Sequence, residues 1–283
     1  MGYTNSPLVN HVRISPHKNS PRNHKIDTIS IHCVVGQVTA ERLGEVFADP
    51  ARKASSNYGV DKDGRIGMYV EEKDRSWCTD SRTNDNRAVT IEVASDINAP
   101  YKVTDAALAS LIELCADICI RNDIKQLLWK GNKSLIGKVS QQNMTVHRWF
   151  ANKSCPGDYL YNLHGYIADE VNKRLAIASL LPKFTVSGNK YICDGIEYSV
   201  VFNPRYYADK YIDLKSIFGT DTNKLFEHFI MFGMKEGRQA SSGFDVNVYK
   251  NRYSDLQKAY GDDLPKYYQH YVLFGCKEKR NAT

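Results

Sequence analysis

Thr28-Ile29-Ser30-Ile31-His32-Cys33 alternates without a break. Ile29, Ile31 and Cys33 fall on one face of an extended chain and Thr28, Ser30 and His32 on the other, so the segment reads as a strand with one buried face and His32 at its C-terminal end. Ala88-Val89-Thr90-Ile91-Glu92-Val93 repeats this grammar, with Val89, Ile91 and Val93 inward and Thr90 and Glu92 opposite. Thr145-Val146-His147 ends a third strand in the same way. If the three strands are neighbours in a sheet whose apolar face packs on helices, the polar face is the floor of a cleft, and His32, Glu92 and His147 converge there.

The third strand end continues as Arg148-Trp149-Phe150-Ala151-Asn152-Lys153-Ser154-Cys155-Pro156-Gly157. An imidazole at His147 and a thiol at Cys155 form half a metal site. Zinc takes neutral imidazole and thiolate, and a catalytic zinc has three protein ligands with a fourth position for water. A third ligand has to come from elsewhere.

Helices surround these strands in the sequence. One is predicted from an N-cap at Thr39 through Leu43, Val46 and Phe47, and a longer one from about Thr104 to Arg121 carries Leu108, Leu111, Ile112, Cys115 and Ile118 at helical spacing. A third follows Cys155 with the stripe Leu160, Leu163, Ile167, Val171 and Leu175. Residues 55 to 70 read as two short strands joined by a turn at Asp61 to Gly64. Residues 1 to 25 have no period and read as an extended arm on this domain.

The end of the chain repeats itself. Phe202, Tyr207, Tyr211, Asp213, Leu214, Gly219, His228, Gly233, Lys235, Glu236 and Arg238 recur 42 residues later as Phe244, Tyr249, Tyr253, Asp255, Leu256, Gly261, His270, Gly275, Lys277, Glu278 and Arg280. Each copy reads as two helices: a stripe of Tyr207, Tyr211, Leu214 and Phe218 ending at Gly219, then Leu225, Phe229 and Phe232 ending at Gly233, both glycines as left-handed caps. The expected organisation is a catalytic domain over residues 1–178, a connector hairpin over 179–201 and the two repeats over 202–283.

With 283 residues, 42% hydrophobic and 25% charged, the chain has room for two domains. Its net charge of +6 is spread evenly; residues 183 to 283 hold 15 Lys+Arg against 12 Asp+Glu. That mild basicity argues against a nucleic-acid-binding domain. No apolar run approaches the roughly 20 residues that span a bilayer, and the N-terminal stretch lacks the segments of a signal peptide. The expectation is therefore synthesis in the cytoplasm without membrane insertion. The seven cysteines are scattered and expected to be reduced, with Cys115 and Cys119 one helical turn apart as small core residues.

The stretches Ile29 to His32, Ser55 to Gly64, Ser76-Trp77, Asn86 to Glu92 and His147 to Pro156 resemble the zinc-dependent N-acetylmuramoyl-L-alanine amidase family of type 2, which shares its fold with peptidoglycan recognition proteins. The resemblance spans roughly residues 24 to 175 and is strongest to endolysins of phages infecting clostridia. It implies an α/β fold, a mixed central sheet flanked by helices, to which this chain adds its repeat domain. It implies that His32, His147 and Cys155 hold one zinc ion, and that Glu92 moves the proton between water and leaving amine. Lys153 and Tyr58 would stabilise the oxyanion, with Trp77 and Asn86 against the substrate. One position departs: where the family has Trp-His, this sequence has Trp77-Cys78.

The implied substrate is the amide between N-acetylmuramic acid and L-alanine in peptidoglycan, reached by an endolysin once the host membrane is permeabilised. The repeats are expected to anchor the protein to the wall, to peptidoglycan or a secondary wall polymer, through Lys235, Glu236, Arg238, Lys277, Glu278 and Arg280; dimerisation through them is the other reading. A recognition protein that binds without cutting, and a host autolysin of the same chemistry, are the rival functions.

Overall fold

The computed structural model describes residues 3–283, and the chain divides into two compact units at Ala178/Ser179. The first is built on a mixed six-stranded sheet. Its strands are β1 (His11–Val12), β3 (Thr28–Val35), β4 (Tyr58–Val60), β5 (Ile66–Met68), β7 (Ala88–Ser95) and β8 (Met144–Thr145), in the order β1-β5-β4-β7-β3-β8; β2 (Lys18–Asn19) and β6 (Arg75–Ser76) pair separately. The arm at the N-terminus thus adds β1 to the sheet edge, parallel to β5.

The register explains the polar face. β3 and β7 run parallel with Ser30 opposite Thr90 and His32 opposite Glu92, while Ser30 also faces Thr145 on β8. The odd positions Ile29, Ile31, Val89, Ile91 and Val93 are fully buried against α3 (Asp105–Arg121) and α4 (Gly157–Ser179), through Leu111, Cys115, Ile118, Leu160, Ile167 and Val171. Each such aliphatic side chain contributes about 1.5–3 kcal/mol, so a slip by one residue, which would turn them all outward, is strongly disfavoured. Cys115 and Cys119 are fully buried in this core. The third strand is shorter than expected. It ends at Thr145, and His147 opens a 3₁₀ turn, His147–Trp149. Because Val146 stays extended (φ −138°, ψ 148°), His147 keeps the face of Thr145.

α1 (Ala40–Ala48) covers the sheet with Leu43 and Phe47, which pack on Tyr69, and starts where Thr39 accepts a bond from the Arg42 N–H (3.2 Å). The short α2 (Arg82–Arg87) feeds directly into β7.

The second unit opens with a three-stranded antiparallel sheet of β9 (Phe184–Ser187), β10 (Lys190–Cys193) and β11 (Ile196–Glu197), whose Tyr191 and Cys193 enter the unit's core. The repeats follow as α5 (Pro204–Lys210), α6 (Ile212–Phe218) and α7 (Thr222–His228), then α8 (Val246–Arg252), α9 (Ser254–Tyr260) and α10 (Leu264–His270), each boundary recurring 42 residues on. Each copy has three helices instead of the two expected. Tyr211 and Tyr253 are extended (φ −119° and −117°), their rings held under the Arg238 and Arg280 guanidiniums at 4.8 Å, and this splits the first helix.

Gly219 and Gly261 do end helices with left-handed φ (56° and 54°). Gly233 and Gly275 serve another purpose. A Cβ on either would sit 2.2 Å from the hydroxyl of Tyr207 or Tyr249, so each is a point of close approach. The chain leaves α7 and α10 through π-helical turns, Phe229–Gly233 and Tyr271–Gly275, whose extra residue per turn rotates Phe232 and Phe274 out to solvent, where the sequence stripe placed Phe232 in the core.

Candidate active site

Three ligand-type side chains meet at the C-terminal edge of the polar face. The donor atoms of His32, His147 and Cys155 lie within 4.8 Å of one another. His32, fully buried, is brought there by β3; its Nδ1 is 3.3 Å from Cys155 Sγ and its ring centroid 5.2 Å from that of His147. The turn that carries the other two is closed on itself. The Arg148 N–H donates to the Cys155 carbonyl (3.0 Å), and the Arg148 side chain donates to Ser154 O (2.6 Å) and Asp158 (2.9 Å).

Hydrogen bonding decides which nitrogens face inward. Ser30 Oγ donates to Thr145 O (3.3 Å), so it accepts from His32 Nε2–H at 3.1 Å and leaves the Nδ1 lone pair toward Cys155. Asp80 accepts from His147 Nε2 at 3.1 Å in the same way. A hydrogen-bonded outer nitrogen with an inward lone pair is how proteins orient imidazole for a metal. Burial keeps His32 neutral by pushing its pKa well below the usual value. A hydrogen bond with Cys33 and burial push the Cys155 thiol up, so a thiolate there calls for a cation to compensate it. The donor set, two imidazoles and one sulfur, fits zinc.

Glu92, across from His32 on β7, places Oε1 4.0 Å from His32 Nδ1. Its other oxygen, Oε2, is buried with no partner, and burial pushes the carboxyl up to about 7. Cys78, at the departing Trp77-Cys78 position, donates to Glu92 Oε1 at 3.9 Å and forms a second close trio with His32 and Glu92. The first trio suits a metal better, because it offers two imidazoles whose outer nitrogens are hydrogen-bonded, to Ser30 and Asp80, where the second offers one.

These groups open into a cleft of ≈ 460 Å³ lined by Glu92, His147, Cys78, Trp77, Lys153 and Arg52, among others. Lys153 is exposed on its wall. Trp77 donates its indole N–H to Asn19 (2.8 Å) and presents its ring near His17.

Two residues named from the sequence lie elsewhere. Tyr58 pairs with Ile91 and so falls on the apolar face; its ring is fully buried, and its hydroxyl donates to Glu72 (2.7 Å) and accepts from the Ser6 N–H (2.9 Å). An oxyanion role for Tyr58 is not compatible with that placement. Asn86 lines a neighbouring depression with His24 and Arg87, its amide already engaged with Arg82 O and the Asn23 N–H. Sequence reasoning missed Asp80 and Cys78 as partners of the site residues. Both sit in the polar loop after Trp77, which has no periodicity to mark them.

Residues 22–158, which hold every strand of the six-stranded sheet except β1 and every side chain lining this cleft, match the family described as N-acetylmuramoyl-L-alanine amidase. The match covers just under half of the chain. Among solved structures, an AmpD derivative is 18% identical and covers 59% of this chain and 99% of its own, at a TM-score of 0.44. A mutant endolysin from Bacillus subtilis (18% identity, 58% and 99% covered, TM-score 0.42) and the endolysin N-acetylmuramoyl-L-alanine amidase LysCS from Clostridium intestinale (18%, 56% and 91%, 0.39) are similar as well. No curated protein matches the chain.

Proposed function

We propose that this protein is a zinc-dependent peptidoglycan amidase of the endolysin kind, hydrolysing the amide between the lactyl group of N-acetylmuramic acid and the L-alanine of the stem peptide. The observation that carries this reading is the convergence of His32, His147 and Cys155 beside Glu92, whose buried Oε2 has no partner, inside the segment that matches the amidase family. His32, His147 and Cys155 would hold the zinc, which supplies a Lewis acid for the carbonyl and lowers the pKa of water toward about 7.

The chain's own groups do the rest. Glu92 takes the proton of the attacking water and returns it to the leaving amine, a task suited to a carboxyl held near neutrality. Lys153, on the cleft wall, offers an ammonium to the oxyanion. Ser30 and Asp80 hold the two imidazoles in the ligating tautomer. Trp77 lines the cleft where the glycan or peptide lies.

The second unit is read as the wall anchor. Its repeats bury an aromatic core of their own. Of the surface named from the sequence, Arg238 and Arg280 are committed internally, to Asp213 and Glu236 and to Asp255 and Glu278, so they act as braces more than as contacts. Incubated with purified peptidoglycan, the protein is expected to release L-alanine amino termini with no new reducing sugars. Reducing ends without amino termini would make it a glycosidase and overturn the reading.

A further inference from the structure

The two repeats of the second unit coincide element for element, yet the first holds a cavity where the second places a buried ring. In the first, α5, α6 and the start of α7 enclose ≈ 410 Å³ lined by Pro204, Ala208, Asp209, Lys215, Gly219 and Leu225, with Arg205, Thr220 and Thr222 at the rim. That volume lies in the range of small-molecule sites.

The second repeat shows what belongs there. Ala208, Thr220 and Leu225 correspond to Lys250, Asp262 and Tyr267. Lys250 and Asp262 pair at 2.6 Å over the equivalent space. Tyr267 fills it with a fully buried ring that packs edge-on to Tyr260 (5.5 Å) and donates its hydroxyl to the Gly261 carbonyl at 2.7 Å. Ala208 in place of Lys250 and Leu225 in place of Tyr267, with an uncharged Thr220 in place of Asp262, therefore leave the space open in the first repeat without altering its helices. They remove a six-membered ring and the hydroxyl donor to the glycine carbonyl, here that of Gly219.

We propose that the first repeat binds an uncharged pyranose unit of a wall glycan in this pocket, taking the place that Tyr267 occupies in the second repeat; the inference rests on the anchoring role proposed above. The apolar face of a sugar ring covers Ala208, Leu225 and Pro204, one hydroxyl donates to Gly219 O, and the Thr220 and Thr222 hydroxyls meet the remaining polar edge. Charge weighs toward a neutral ligand: the Asp209 carboxylate lines the pocket, would repel a phosphate and holds Lys215 at 2.7 Å, and Arg205, 3.9 Å from the same carboxylate, is the one further cation of the lining.

The test exchanges the repeats' own residues in the full chain, so each variant places side chains the fold already accommodates. Ala208→Lys, Thr220→Asp and Leu225→Tyr together fill the pocket; Lys250→Ala, Asp262→Thr and Tyr267→Leu open its counterpart. Binding is measured by calorimetry with glycan strands stripped of stem peptides, and by retention on intact walls. Amidase activity on a soluble muropeptide reports folding of the first unit. The filled variant is expected to lose at least tenfold in strand affinity and in wall retention with activity unchanged, and the opened variant to gain one strand site per chain. Wall retention that persists undiminished in the filled variant would overturn the pocket while leaving the anchoring role intact. A wild-type chain not retained on walls would overturn both.

Discussion

The two units bury opposite kinds of side chain. In the first, Ser30, His32, Thr90, Thr145 and Asp85 lie under the cleft or its rim, and all five buried side-chain polar atoms without a partner among the described residues belong to this unit: His11 Nε2, Asp74 Oδ1, Glu92 Oε2, Thr145 Oγ1 and His164 Nε2. The second unit buries Tyr207, Tyr249, Tyr267, Tyr268, Phe202, Phe226, Phe229 and Phe244 instead. Its deep hydroxyls have partners; Tyr207 and Tyr249 meet His228 and His270 at 3.0 and 2.9 Å. An unsatisfied buried polar group costs about 1–3 kcal/mol. Two of those five atoms, Glu92 Oε2 and Thr145 Oγ1, lie on the polar face at the cleft, while the second unit's core is a set of packed aromatic rings.

Substitutions separate these two designs. Glu92→Gln removes the proton carrier but none of the proposed ligands, so kcat is expected to fall about 100- to 10,000-fold with bound zinc unchanged; steady-state kinetics with metal analysis decides it. Ser30→Ala leaves the three ligands but frees His32 Nε2, and zinc affinity is expected to drop about 10- to 100-fold in a chelator competition. Gly233→Ala drives a methyl into the Tyr207 hydroxyl, so the second unit should lose about 1–3 kcal/mol in denaturant unfolding with muropeptide hydrolysis unaffected. Tyr58→Phe is the mildest. Glu72 keeps Arg121 and Asn122 (2.6 and 3.0 Å), so the expected cost is about 1 kcal/mol of stability and no change in kcat. A large kcat loss from Tyr58→Phe would return that residue to the site.

Much of the cleft was legible because strand parity is rigid. Once Ile29, Ile31, Val89 and Ile91 face inward, Ser30, His32, Thr90 and Glu92 face the other way, and the register pairs them as the alternation implies. The same rule would have excluded Tyr58, which alternates with Gly59 and shares its face with Val60 in the core. Its place in the site is implied by the resemblance to amidases alone. Loop residues were less legible, since Asp80 reaches His147 across 67 positions in sequence through a backbone with left-handed φ (58°) that no pattern announces. In the repeats the 42-residue period gave the copies, but the break at Tyr211 depends on its contact with Arg238, and the outward turn of Phe232 on a π-helical register.

On the proposed function, the polar face of this sheet, with Cys155, builds a zinc centre that drives amide hydrolysis. Zinc content per chain, measured together with amine release from peptidoglycan before chelation, after chelation and after zinc return, tests it most directly. One zinc per wild-type chain is expected, with activity lost with the metal and restored by it, and neither zinc nor activity in Cys155→Ser. Full amine release from a metal-free chain, or a Cys155→Ser variant that keeps both zinc and activity, would contradict it.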